Sequence, residues 1–246
     1  MPRGRAPGYE LQRETILVRA AELFARRGFT ATSMNEVAEA CGVSKPSLYH
    51  YVRDKHQLLA EIAAGHVARL LALVAEVDAA RLAPETRLRR LIAAFLAVYA
   101  RSQAEHRVLT GDVRFLNAPE RERILGAERR VVAAFAEAIV ATRPELRAAN
   151  LEKPLAMLLF GMMNWMFTWL QPDGELSHDD LAPVVADLFF GGIGAVRAPV
   201  GRSKASLLDN NGDSPPCPSP DKPSSSSASP RRPRSLPRHG PTSTSA

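Results

Sequence analysis

Two cysteines in 246 residues, Cys41 and Cys217, are too few for a disulfide framework. One falls on the apolar face of a helical stretch and the other in a proline- and serine-rich tail, so neither a structural bridge nor a zinc site is expected. The six histidines make no i, i+4 metal pair. Ser177, His178 and Asp179 are adjacent, and neighbours at a helix start do not converge as a catalytic triad. Gly191-Gly192-Ile193-Gly194 follows no strand pattern and is no nucleotide loop. No catalytic constellation, metal site or cofactor is therefore expected. β-Branched runs are scarce while alanine and leucine dominate, which favours an all-α fold. No stretch of about 20 uninterrupted apolar residues occurs. The opening Met1-Pro-Arg-Gly-Arg5 carries no apolar segment. A soluble, cytoplasmic chain without a membrane partner is the expectation.

What is present is concentrated between Ser33 and Lys55. Ser33 with Glu36 three residues on reads as a capping box that opens a helix. Val37, Ala38 and Cys41 follow at helical spacing and form one apolar face. Gly42 closes that helix, since a left-handed C-terminal position costs glycine nothing. Val43 plugs the turn, Ser44 caps a second helix, and Pro46 sits in its first turn, where a missing N–H is no loss. The second helix is short, ending near Tyr51. It exposes Lys45, Ser47, Tyr49 and His50 and turns Leu48 inward. A short helix of small, polar, aromatic and basic residues, set against a partner by a glycine turn, fits a DNA major groove. Thr32 and Ser33 are placed to hydrogen-bond a phosphate, and Tyr49 and Lys55 to fix the register on the backbone.

The run from Met34 to Leu59, with Val43-Ser-Lys-Pro-Ser-Leu-Tyr-His-Tyr-Val-Arg-Asp-Lys55 at its centre, resembles the DNA-binding domain of the TetR family of one-component transcriptional regulators. By motif the resemblance covers about residues 14–60, and the remainder by architecture only. It implies an N-terminal three-helix helix-turn-helix domain followed by a C-terminal helical ligand-binding and dimerisation domain, about nine helices in all. It also implies a homodimer on double-stranded DNA, released by a small-molecule effector. Repression is the leading reading, and a same-family activator or a sensor of a cationic drug remains open beside it. A different class, an all-α ligand-binding or enzymatic protein with a merely structural turn, would lack sequence-specific DNA binding.

Taken in order, residues 1–12 form a basic arm with Arg3 and Arg5, and residues 13–58 the helix-turn-helix domain. Residues 59–198 form the second domain, entered by a helix running from Asp54 or Lys55 to about Arg81, roughly 40 Å long at 1.5 Å per residue. Five further helices are expected between Pro84 and Val196. From 199 to 246 proline, serine and glycine take over and apolar residues nearly vanish after Leu208, the signature of a disordered tail. The formal charge of +6 is modest, but arginines gather at both ends, which suits a polyanionic partner.

Leu155 to Leu170 is apolar nearly all round, so more than one side must be covered. With the helix at 178–196 it is expected to build a four-helix interface across a two-fold axis. Methionines and tryptophans cluster here, a composition that also suits a cavity adapting to a lipophilic ligand. Asn164 is a lone amide in that run and needs a partner. The stretch Asn164–Gly174 is similar to TetR-type repressors of fatty-acid, aromatic-acid and steroid-ring catabolism, which implies an acyl-CoA effector. The acyl chain is then expected among Phe95, Tyr99, Leu116 and Trp165, with Asn164 and Trp169 beside it. The phosphates are expected at Arg114, or at Arg107, Arg129 or Arg130.

Overall fold

The computed structural model of the chain describes residues 8–170 and 175–194. Among these there are ten α-helices, one 3-10 turn and no strand. α1 (Tyr9–Arg27) stops where Gly28 takes φ +84°, outside the range an L side chain prefers. α2 (Met34–Ala40), α3 (Lys45–Tyr49) and α4 (Lys55–Ala79) follow, each opened by a side-chain cap, from Ser33, Ser44 and Asp54. α5 (Pro84–Arg101), α6 (Gln103–Asp112), the 3-10 turn at Val113–Phe115 and α7 (Ala118–Thr142) come next. α8 (Glu145–Ala148), α9 (Glu152–Trp169) and α10 (His178–Ile193) complete the order. The helix count exceeds the expected nine by α8, a single turn inside the loop between Pro144 and Asn150. α1 begins four residues ahead of the expected start of the helix-turn-helix domain at 13, and Tyr9 in its first turn stacks on Tyr51 at 4.9 Å. The basic arm's Arg3 and Arg5, the turn at 172–174, Cys217 and the 199–246 tail lie outside the described residues.

The expected boundary at 58/59 is not a gap in packing. Leu58 and Leu59 are both fully buried within an unbroken α4, and α1 packs against α6 as well as α4. By length and composition alone α4 is apolar enough to cross a membrane, although charged residues interrupt its apolar run. Here half of its most apolar window is buried, against α1, α5, α6 and α7. The C-terminal core is centred on Phe95, Phe135 and Phe160. Phe135 meets Phe95 edge-on at 4.8 Å and Phe160 at 4.7 Å.

α9 and α10 divide their apolar residues between two sides. Leu155, Ala156, Leu159, Phe160, Met163 and Met166 of α9 are buried, and Ala182, Val185, Ala186, Phe189 and Ile193 of α10 are buried with them. Met157, Leu158, Trp165 and Trp169 on α9, and Val184 and Leu188 on α10, face outward. These exposed residues recur at helical spacing and make two continuous apolar stripes, more than scattered surface hydrophobics account for.

Candidate functional sites

The turn between α2 and α3 is built by local chemistry. Ser33 Oγ accepts the Glu36 N–H while the Glu36 carboxylate accepts from the Ser33 N–H at 2.8 Å, a reciprocal capping box. Burial is slight there, and these bonds hold the Glu36 carboxyl below the usual carboxylate range. Gly42 sits at φ +65°, its N–H donating to Glu39 O and that of Val43 to Ala38 O, both at 3.0 Å. This pair of bonds is a Schellman closure, and a side chain at Gly42 would be strained by its φ. Ser44 Oγ accepts the Ser47 N–H at 3.2 Å and starts α3. Leu48, wholly buried, pins α3 to the core. The opposite face presents Lys45, Tyr49 and His50 to solvent, with Ser47 half-buried beside them and Ser44 exposed at its start.

Two expected phosphate contacts take other roles. Thr32 is 1% exposed, and its hydroxyl donates inward to Gly28 O at 3.0 Å, tying the end of α1 to the start of α2. Lys55 Nζ donates to three backbone oxygens, Phe29 O at 2.8 Å, Thr30 O at 3.2 Å and Thr32 O at 2.7 Å. It also lies 4.6 Å from the centroid of the Phe29 ring. All three ammonium protons are thereby engaged, and Lys55 fastens the α1–α2 connection to the first turn of α4. The Ser33 hydroxyl likewise donates to its own capping partner, Glu36.

The second site is a cavity of about 590 Å³ among α4, α5, α6, α7 and α9. Val67, Leu70, Leu109, Val131, Val132 and Phe160 supply apolar wall. Volume and character match what a small lipophilic molecule needs. Tyr99 and Asn164 line it, as the sequence suggests. Phe95 does not: it is fully buried in the aromatic core. Leu116 packs near the start of α4 instead, and Arg114 lies over the Phe115 ring at 4.9 Å. Trp165 and Trp169 are 67% and 53% exposed on the outer stripe of α9, away from the cavity wall. Of the other arginines considered, Arg107 donates to Phe167 O at 2.9 Å and Arg130 is directed at Gly126 O, whereas Arg129 does reach the cavity, paired with Glu122.

The polar groups at the cavity wall, or directly behind it, include several that are not among the expected residues. His66 on α4 and His106 on α6 are both buried, with His66 Nε2 3.3 Å from His106 Nδ1. Burial, and then the neighbouring ring and Arg69, push His66 down to about 3, and burial pushes His106 down to about 4. Both rings are neutral at physiological pH. Glu128 and Glu152 add carboxyls, the first pushed above the usual carboxylate range by burial, the second with a buried Oε2 that no protein group meets. The signal in the sequence is positional. His66 stands four residues from Ile62 and four from Leu70, squarely on an apolar stripe. No group of residues that could hold a metal ion occurs among the described residues.

Both halves of the chain match known families. Residues 16–62 match the family model of bacterial regulatory proteins of the tetR family, and residues 81–193 match that of the tetracyclin repressor-like C-terminal domain. A TetR-family transcriptional regulator from Bordetella parapertussis is 34% identical, with a TM-score of 0.71, over 76% of this chain and 98% of its own. AibR, solved with isovaleryl coenzyme A and operator DNA, is 26% identical with a TM-score of 0.64, over 72% of this chain and 97% of its own. The HTH-type transcriptional repressor KstR2 of Rhodococcus jostii is 30% identical over 120 residues, 49% of this chain and 59% of that relative, so the match to this curated relative spans little more than half of its length. With both family models matched, and a regulator of the same family paired over nearly its whole length, the chain belongs to the TetR family of transcriptional regulators.

Proposed function

We propose that the protein is a dimeric, effector-released repressor that binds a pseudo-palindromic operator through α3, with an acyl-CoA as effector. The observation that carries this is the joining of the two sites by one helix. α4 begins at Lys55, which fastens the connection leading into the DNA-reading helices, and lines the cavity at Val67, twelve residues further on. At 1.5 Å per residue that is about 18 Å of continuous helix. A ligand that shifts α4 at the cavity therefore shifts the seat of α3. A coupling of about 1–3 kcal/mol changes operator affinity roughly 5–150-fold.

Lys45, Ser47, Tyr49 and His50 then lie at the groove, with Ser44 and Tyr49 toward the backbone. The apolar stripes of α9 and α10 meet their symmetry mates, and the two α3 helices read successive major grooves. KstR2 is by its name a repressor, and AibR was solved with both an acyl-CoA and operator DNA, which supports the acyl-CoA reading here. Among the cavity's polar groups Glu128 and Glu152 disfavour phosphates inside, so the acyl part occupies the cavity. The nucleotide part lies outside, toward Arg129 and the exposed Lys153.

The test is fluorescence anisotropy of the purified chain on DNA from upstream of its own gene, with unrelated competitor, followed by titration with a panel of acyl-CoAs. Binding that resists competitor and is lost with one acyl-CoA is the expected result. Resistant binding that no acyl-CoA disturbs would remove the acyl-CoA and keep the regulator. Weak binding, equal on all DNA and abolished by modest salt, would reject operator recognition altogether. A reporter behind the same upstream DNA gives the sign: deleting the gene should raise expression, and a fall would make the protein an activator. Tyr49→Ala should weaken operator binding about tenfold, the residue being 45% exposed on the outer face of α3. A change in elution volume on size exclusion would show instead that Tyr49 is structural.

A further inference from the structure

The cavity contains a hydrogen-bond donor and an acceptor side by side, and the protein joins neither to a partner. His106 Nε2 and Asn164 Oδ1 are both buried, both belong to cavity-lining residues, and neither makes a hydrogen bond within the structure. The Asn164 side chain is turned toward His106 as an acceptor, which favours the protonated ring, but the two atoms stop short of a closed hydrogen bond. Tyr99 stacks on the His106 ring at 3.8 Å and Phe167 meets it edge-on at 5.9 Å, so the imidazole is held in place.

A chain of contacts fixes which nitrogen of His106 carries the proton. Arg69 is half exposed, ion-paired with Glu105 at 3.5 Å, and its Nη2 lies 3.3 Å from His66 Nδ1. A guanidinium has no lone pair to offer, so it donates and His66 Nδ1 accepts. The single proton of neutral His66 then sits on Nε2, directed at His106 Nδ1 at 3.3 Å. That nitrogen must accept in turn, which leaves the proton of neutral His106 on Nε2. The cavity consequently presents an N–H, from His106, beside a carbonyl oxygen, from Asn164.

Resting on the reading of this cavity as the effector site, we propose that it selects a lipophilic alcohol: one hydroxyl oxygen accepts from His106 Nε2–H and donates its own proton to Asn164 Oδ1. Polar groups that only accept or only donate satisfy half of the pair. A ketone, ether or thioester carbonyl accepts and leaves Asn164 Oδ1 unpaired. An ammonium donates and confronts the His106 N–H. A carboxylate accepts, and meets Glu128 and Glu152 besides. A trans secondary amide points its C=O and N–H in opposite directions. Leaving a buried polar group unpaired is the costly event, so discrimination against the wrong group is steep. For an acyl-CoA the assignment means a hydroxyl on the acyl chain.

Calorimetric titration of the full chain with cyclohexanol and 1-octanol, each against its methyl ether, tests this directly. The ether keeps the acceptor and loses only the donated proton. The alcohol should bind roughly tenfold more tightly or better. Asn164→Leu should bring alcohol and ether within about twofold of each other. Arg69→Met alters only a surface residue, and should release the tautomers and shrink the preference. Nitrogen-detected NMR should show both His66 and His106 protonated on Nε2 in the native chain and as tautomer mixtures in Arg69→Met. Equal affinities, or no binding of either molecule, would overturn the assignment and leave the donor–acceptor pair to a water. A preference unchanged in Asn164→Leu would overturn it as well. Release of operator DNA by an unhydroxylated acyl-CoA, with no alcohol preference, would remove the hydroxyl site alone and leave the regulator standing.

Discussion

Leu158→Glu combined with Leu188→Glu should turn the dimer into a monomer and lower operator affinity by about two orders of magnitude or more. Both side chains are two-thirds exposed, and both lie on the outward apolar stripes, of α9 and α10 respectively. In an isolated subunit the double change replaces exposed leucine with exposed glutamate, which costs the fold little. In a dimer it places four carboxylates within one apolar interface, where desolvation and like-charge repulsion act together. Separation of the subunits removes the linkage between two half-site contacts, and with it the gain from high effective concentration. Light scattering coupled to size exclusion reads the mass, circular dichroism the helix content, and anisotropy the operator affinity. A double variant that still elutes as a dimer would place the interface elsewhere. A folded monomer that binds operator as well as the parent would remove the dimer from the recognition mechanism.

Lys55→Met should cost about 2 kcal/mol of stability and abolish tight operator binding, although the side chain reaches no DNA in the proposed complex. Its three donated hydrogen bonds end on Phe29 O, Thr30 O and Thr32 O, carbonyls of the connection that no helix satisfies. Hydrogen bonds from a charged donor contribute more than neutral ones, and methionine keeps the stem while removing every donor. In thermal unfolding this corresponds to a fall of about 5 °C for a chain of this size. Lys55→Arg tests the geometry, since a planar guanidinium cannot point three donors at three converging carbonyls. Lost stability in Lys55→Met with operator affinity intact would disconnect the fastening from DNA reading. A loss of affinity with unchanged melting would restore Lys55 as a direct phosphate contact.

The capping box at Ser33, the closure at Gly42 and the cap at Ser44 are legible in the sequence because each is settled within five residues of itself. Lys55 takes another role for the opposite reason: its direction depends on carbonyls 23 to 26 positions away, and no local pattern encodes that. Thr32 bonds only four residues back, to Gly28 O, but its burial follows from the packing of α1 against α2. The same division runs through the C-terminal half. That α9 is apolar all round is plain from its letters, yet which side faces the cavity is decided by α7, and which side faces outward by what leaves it uncovered. Tyr99 and Asn164 thus line the cavity while Phe95, Trp165 and Trp169 do not. Two carboxyls and an imidazole, Glu128, Glu152 and His106, converge there from three different helices, with His66 of a fourth behind His106, and convergence of that kind has no signature in the order of residues.

Helix α4 carries a consequence for how the chain is made. It is apolar enough to pass for a membrane span, and most of what covers it, α5, α6 and α7, comes after it in sequence. During synthesis residues 55–79 leave the ribosome before their partners exist, so a sticky helix waits for the next sixty residues to arrive. Chaperone binding is expected in that interval. The same ordering means that the DNA-reading segment cannot be cut away as a working fragment. A chain ending near residue 80 would bear the bare face of α4 and aggregate, whereas the longer chain hides that face by completing the cavity proposed as the effector site.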